Sequence, residues 1–261
     1  MKEIFFLSGL PRAGNTLFGS LMNQNPDIAA TSNSITPIII RDLMKLKFMH
    51  LFRNFPDYKS VDNIAYNLLD IYYKNWNYKY IIDRAPWGMP ENLRYLKEAR
   101  KNVKIIVLVR DVIEILASFV RWSQRTPDAF INRYRAKTVE EKCDMMMENA
   151  NGVIINELVA IKHLSHPKNK GLSYMVEYDD LVKHPKKTIE GVYDFLEIPK
   201  FEHRYINFDQ FKVNGVKYED EVVGDGLHTI RTDVIRKSEY DAYKIIPKSI
   251  VDKYKHHNFW R

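Results

Sequence analysis

Two kinds of apolar pattern alternate along the chain. Residues 4–7, 104–109 ("KIIVLV") and 173–177 are short apolar runs without strict alternation, and 80–82 is a shorter one ending at Asp83-Arg84. Such runs predict strands buried on both faces. Between them, apolar residues recur every three or four positions over 16–23, 37–52, 61–76, 90–101 and 139–164. These stretches predict helices, the second carrying interspersed Arg41, Lys45 and Lys47. Asp111 is placed to cap a further helix reaching about Gln124, and a last one runs from Pro185 to Phe195. Strands alternating with helices predict an α/β fold: one domain over 1–261, with a central parallel sheet flanked by helices.

Residues 201–246 break the pattern. They lack sustained periodicity, carry Gly215, Gly224 and Gly226, and are dense in charge. A segment this long without regular structure reads as a lid, with Ile206, Phe208, Phe211, Val222 and Val223 available to dock it.

Composition narrows the partners. The 261 residues are 45% hydrophobic with 16 tyrosines, enough for a sizeable core, and the formal charge is +7. A basic balance suits anionic ligands. The lysines and arginines are spread along the chain, so nucleic acid gains no special support as a partner. A single cysteine, Cys143, allows no intramolecular disulfide and fits a reducing compartment. The amino terminus does not read as a signal peptide, and no run approaches the roughly 18 apolar residues of a membrane span. The expectation is a cytoplasmic protein without a membrane partner.

The chemistry concentrates in "FFLSGLPRAGNTLFGSLMNQNP", residues 5–26. A strand enters a loop with Gly9 and Gly14, and a helix follows. The spacing is that of a phosphate-binding loop, G-x-x-x-x-G-K-[ST], with Asn15 where the lysine belongs and Arg12 three residues earlier. Backbone N–H groups of such a loop, with the helix N-terminus behind them, form an anion nest. The strand over 104–109 ends in Arg110, at the edge where parallel sheets bind ligands. Asp111, Glu114, Ser118, Arg121 and Arg125 follow as one polar stripe. An arginine in place of a bare carboxylate reads as a site for an anion without a metal.

"LSGLPRAGNTL" followed by "IVLVRDVIEILASFVRW" resembles the two cofactor motifs of sulfotransferases that use 3′-phosphoadenosine-5′-phosphosulfate (PAPS). "VEYDDLVKHP" at 176–185 and "IIDRAP" extend the likeness. The first loop is closest to the tyrosylprotein sulfotransferase-like branch, which carries Pro-Arg-x-Gly. The resemblance implies a P-loop NTPase-like fold and a sulfuryl transfer to a small-molecule, sugar or peptide acceptor through a hydroxyl or amine. It implies that Pro11, Arg12, Ala13, Gly14, Asn15 and Thr16 hold the 5′-phosphosulfate, with amides of Ala13–Thr16 as donors and Arg12 on the sulfuryl side. Arg110 and Ser118 would take the 3′-phosphate, Tyr178 would contact the nucleotide, and Arg231 would reach back to it. Arg84 would stabilise charge on the bridging oxygen.

The acceptor also needs a general base. The branch's glutamate is missing: "PDIAATSNSITP" offers Ser32, Asn33 and Ser34. Asp83 and His228 are the remaining candidates. Two other readings compete, a P-loop small-molecule kinase using ATP·Mg with Asp83 as metal ligand, and a non-catalytic nucleotide or polyanion binder.

Overall fold

Apolar runs without alternation need cover on both faces, and the chain supplies it with helices. The computed structural model describes residues 2–133, 136–148 and 152–261. Strands β1 (Glu3–Gly9), β2 (Ile28–Ala30), β3 (Tyr80–Arg84), β4 (Ile105–Val109) and β5 (Ser173–Glu177) form one all-parallel sheet in the order β2-β3-β1-β4-β5. The expected α/β class is the one observed. Every residue of β4 is buried, and so is β1 beyond Glu3.

The strand order places the site. β1 sits between β3 and β4, and Leu7 pairs with Arg84 while Gly9 pairs with Leu108. The chain therefore leaves β1, β3 and β4 at one carboxyl edge, with the 10–14 loop, Arg84 and Arg110 together. After β1 the order moves to one side through β3 and β2, then to the other through β4. That reversal opens the crevice where α/β sheets bind ligands.

The helices are α1 (Asn15–Met22), α2 (Thr36–Leu46), α3 (His50–Asn54), α4 (Tyr58–Tyr72), α5 (Pro90–Ala99), α6 (Val112–Arg125), α7 (Val139–Glu148), α8 (Ile155–Leu164), α9 (Tyr178–Lys183), α10 (Pro185–Leu196), α11 (Ala242–Ile245) and α12 (Lys248–Tyr254). Asp111 caps α6 as expected, its Oδ1 accepting from the N–H groups of Ile113 (2.9 Å) and Glu114 (3.2 Å). Cys143 is buried on α7, its thiol pushed up to about 12 by burial and then by Asp144.

Several boundaries differ from the pattern. The single helix expected over 139–164 is, among the described residues, two helices, α7 and α8, with the poor helix former Gly152 between them; 149–151 lie outside the described residues. The one over 37–52 also divides, into α2 and α3. "YDDLVK" forms α9 between the expected strand and the last helix, and β3 continues through Asp83 to Arg84. β2 was missed: three residues, Ile-Ala-Ala, are too short to set a period.

Residues 201–246 hold two isolated bridges, Ile206 to Val234 and Val213 to Val216, a 3-10 turn at Asp220–Val222, and α11. Phe208, Phe211, Val213 and Leu227 anchor the segment in the core. Phe211 lies so close to α1 that a Cβ on Gly19 would come within 2.7 Å of its ring. Of the expected docking residues Ile206 and Val222 are instead exposed, because the backbone there turns outward around Asn207 and the 3-10 turn.

Gly88, between β3 and α5, fixes α8 against the sheet. His163 Nδ1 lies 2.9 Å from its carbonyl oxygen, and an added Cβ would meet the Ala160 carbonyl oxygen and Leu164 Cδ1 at 2.6 Å. Gly88→Ala should lower stability by about 1–3 kcal/mol through this overpacking. Urea unfolding followed by circular dichroism would show a lower midpoint with an unchanged slope.

Candidate active site

The loop after β1 is pinned from inside. Asn15 Nδ2 donates to the Leu10 carbonyl oxygen at 2.7 Å, and its Oδ1 packs where a Cβ on Gly9 would come within 2.7 Å. Asn15 thus braces the turn and cannot replace the missing lysine. Gly14 has φ 87°, and an added Cβ would reach Tyr178 at 3.0 Å. Arg12 holds φ 60°, a conformation uncommon for a residue with a Cβ and found at functional sites. Among the described residues, the N–H groups of Gly14, Asn15 and Thr16 have no protein acceptor. Ala13 differs from expectation. Its N–H closes the turn onto the Leu10 carbonyl oxygen at 3.2 Å, and the residue is fully buried.

Two guanidinium groups meet above this nest. Arg110 donates through Nη1 to the Arg12 carbonyl oxygen (2.9 Å) and through Nε to Glu114 Oε2 (3.0 Å). Its guanidinium lies 4.2 Å from the centre of the Tyr178 ring. Glu114 is shared with Lys237, which also holds Asp179. Arg12 has no carboxylate of its own. Its Nε donates to Ser118 Oγ at 3.1 Å and its Nη1 to the Leu227 carbonyl oxygen. Burial, then the charge of Arg110, lowers the Arg12 guanidinium from its ordinary range. An arriving anion would relieve both.

Arg84 occupies the next position along the edge. Its Nη1 donates to Asn33 Oδ1, its Nη2 is 4.0 Å from Glu157 Oε1, and its buried Nε has no partner. Glu157 accepts from Ser8 Oγ at 3.1 Å and from the Gly9 N–H, while burial pushes its carboxyl above the ordinary range.

His228 faces the same space from the irregular segment. Its Nδ1 is 2.5 Å from Asp220 Oδ1, and its N–H donates to Asp220 Oδ2 at 3.0 Å. The ring stacks on Tyr218 with centroids 3.6 Å apart and planes 2° apart. Burial lowers its pKa from the usual histidine value; Asp220 opposes this and Arg12 and Arg84 reinforce it.

Arg12, Arg84, Arg110, Ser118, Glu157, Tyr178, Tyr218 and His228 line one cavity of about 890 Å³, together with Pro11, Gly14, Asn15, Thr16 and Arg231. Seven arginines face it against two carboxylates, Glu157 and Glu239. The wall also has an apolar part: Leu17, Phe119, Trp122, Phe130, Val153, Val223 and Ile235. A family model, that of the sulfotransferase family, matches residues 5–203. The chain belongs to the sulfotransferase family.

Solved sulfotransferases share the fold. The sulfotransferase domain of the olefin synthase from Synechococcus PCC 7002 superposes with a TM-score of 0.55 at 15% identity, covering 100% of this chain and 95% of that one. Mouse sulfotransferase SULT7A1, solved with 3′-phosphoadenosine-5′-phosphate (PAP), gives 0.55 at 12% identity, with coverages of 98% and 83%. Retinol dehydratase, solved with androsterone and inactive cofactor PAP, gives 0.53 at 14% identity, with coverages of 98% and 79%. No curated protein matches in sequence.

Two candidates of this sulfotransferase do not line the cavity, the buried Ala13 and Asp83. Asp83 is fully buried within β3. Its Oδ2 accepts from Ser34 (2.8 Å), Thr36 (3.1 Å) and Tyr73 (2.5 Å), and its Oδ1 from Trp87 Nε1 (3.0 Å). Because β3 continues past it, its side chain points into the core, and it can serve neither as base nor as metal ligand for the cavity. Trp87 is buried in the same network. Among the described residues, no group of three His, Cys, Asp or Glu is arranged to hold a metal. Sequence reasoning missed Glu157, Tyr240, Asp220 and Tyr218. Only Glu157 carried a signal: it shares the face of α8 formed by Leu158, Ile161 and Leu164, an acid among apolar neighbours.

Asp83→Asn leaves an amide facing either the Trp87 N–H or three hydroxyls. It should cost about 1–3 kcal/mol of stability, read from urea unfolding, while PAP affinity of the folded protein stays within about twofold. A loss of PAP affinity without loss of stability would return Asp83 to the site.

Proposed function

We propose that this chain transfers a sulfuryl group from PAPS to a hydroxyl or amine acceptor. The observation that carries the reading is the pairing of Arg12 with Arg110 over unpartnered loop amides, two cations with one carboxylate between them. A doubly anionic nucleotide satisfies every one of these groups. The fit is further supported by the partnerless Nε of Arg84 and by Gly14, where a Cβ would close the approach to Tyr178. PAP in two of the solved relatives supports the same ligand.

PAPS supplies an activated sulfuryl group open to in-line displacement, with charge spread over its outer oxygens as in phosphoryl transfer. The amides of Gly14, Asn15 and Thr16 and the guanidinium of Arg12 hold the 5′ end. Arg110 and Ser118 take the 3′-phosphate, and Tyr178 and Arg231 flank the nucleotide. Arg84 stands ready as a donor to charge that develops on the bridging oxygen. His228 acts as general base: Asp220 accepts from its Nδ1–H, which leaves the Nε2 lone pair for the acceptor proton. The apolar wall around Phe119, Trp122 and Val223 supports an acceptor with an apolar or aromatic body.

Two measurements test this. By isothermal calorimetry, PAP should bind without added metal, more tightly than ATP·Mg and with less salt sensitivity than heparin. Arg110→Ala should weaken PAP by at least tenfold and adenosine-5′-phosphosulfate by much less, because only PAP carries the 3′-phosphate. Metal-dependent ATP binding, or equal loss for both nucleotides, would count against the assignment.

The base has its own signature. His228→Gln should lower kcat by about 10²–10⁴ with PAP affinity unchanged. Since only neutral imidazole accepts the proton and burial holds its pKa below the usual value, the acid limb of the rate profile should lie below about pH 6.5. Asp220→Asn removes a group that raises that pKa, so the limb should move to still lower pH as the rate falls.

A further inference from the structure

Residues 43–56 read "LMKLKFMHLFRNFP": eight apolar residues, Lys45, Lys47, His50 and Arg53, and no carboxylate. They end α2 and form α3; Met44 packs against the core, but the apolar side chains from Leu46 onward do not. Phe48 is 74% exposed, Met49 54%, Leu51 78% and Phe55 79%. No residue of α3 is buried. Leu46, Met49, Leu51, Phe52 and Phe55 line a shallow apolar groove outside the catalytic cavity. Single exposed apolar residues need no explanation, but a contiguous cluster marks an interaction surface.

We propose that this corner docks the protein on the surface of an anionic lipid bilayer. The charge pattern selects that occupant. The apolar cluster is bounded by Lys45, Arg53 and Lys59; Asp42 and Asp57 flank it, and Asp42 pairs with Lys45 at 3.0 Å, but among the described residues Arg53 and Lys59 form no ion pair. A short amphipathic segment with Phe and Leu on one side and Lys and Arg around it is built to lie in a headgroup layer. It needs no shape-complementary partner, which suits a five-residue helix whose ring contact within the protein is Phe52 edge-on to Tyr58, centroids 5.1 Å apart. The segment is too short to span, and no described helix is long and apolar enough to cross a membrane. Attachment would be peripheral, contrary to the absence of a membrane partner expected from the sequence. The apolar cluster supplies insertion, and the cations supply selectivity for negative lipid. α2 begins at Thr36, beside the cavity-lining Asn33, and is about 16 Å long at 1.5 Å per residue. The docked face would therefore lie one helix length from the cavity.

Co-sedimentation of the full chain with phosphatidylcholine vesicles, pure or with about 30% phosphatidylglycerol, tests the proposal. Binding to the anionic vesicles should exceed binding to the neutral ones by at least tenfold and fall as salt rises. The triple variant Phe48→Ser, Leu51→Ser, Phe55→Ser should lose at least tenfold, with PAP affinity unchanged; Phe55→Ser alone serves if the triple variant does not fold. Replacing Lys45, Arg53 and Lys59 by Gln should weaken binding about a hundredfold, near fivefold per cation. The proposal is overturned if the protein sediments with neither vesicle, binds both equally, or is unaffected by these substitutions. It is also overturned if light scattering shows a lipid-free dimer that the apolar variant abolishes, since the corner would then belong to a second copy.

Discussion

Two like charges held together with a single carboxylate, Glu114, to offset them are the constraint around which the rest is arranged. Arg12 and Arg110 come from different loops, yet the first accepts through its carbonyl oxygen what the second donates. Bringing them together costs free energy: burial first, and then the charge of Arg110, lowers the Arg12 guanidinium from its ordinary range. The fold offsets part of that cost with a tyrosine ring beneath Arg110 and a shared carboxylate at Glu114, while the left-handed Arg12 adds strain of its own. The sheet order makes the meeting possible, because β1 and β4 are neighbours although some hundred residues separate them.

The carboxylates are sorted by the same logic. Asp83, one position before Arg84, points to the opposite side of β3 and is absorbed into the core by Ser34, Thr36, Tyr73 and Trp87. Glu157 stays at the cavity wall but is tied to Ser8 and lies beside Arg84. Neither competes with an anionic ligand for the free amides of the loop. The alternation of side chains along a strand, period two, is what separates an edge cation from a core acid one residue apart.

The fold was legible because buried parallel strands read as apolar runs and because a loop of this spacing announces its own chemistry. The 10–16 loop, Arg110, Ser118 and Tyr178 were visible as residues in register with strands and helices. Asp83 misled because the apolar run "YII" ends before it, whereas the ladder to β1 carries the strand two residues further. The Asp220–His228 pair was invisible as a pair. Its members are eight apart in a segment without period, and only tertiary folding stacks Tyr218 on the imidazole. Ala13 read as a donor because a loop motif states which amides are present, not which the turn itself consumes.

The link between Arg12 and the carbonyl oxygen of Leu227 ties the loop after β1 to the irregular segment, one residue before His228. The charge of Arg12 also helps to lower the pKa of that imidazole. An anion that neutralised the guanidinium would therefore be felt on the far wall of the cavity as well, as a change in how readily the ring keeps a proton.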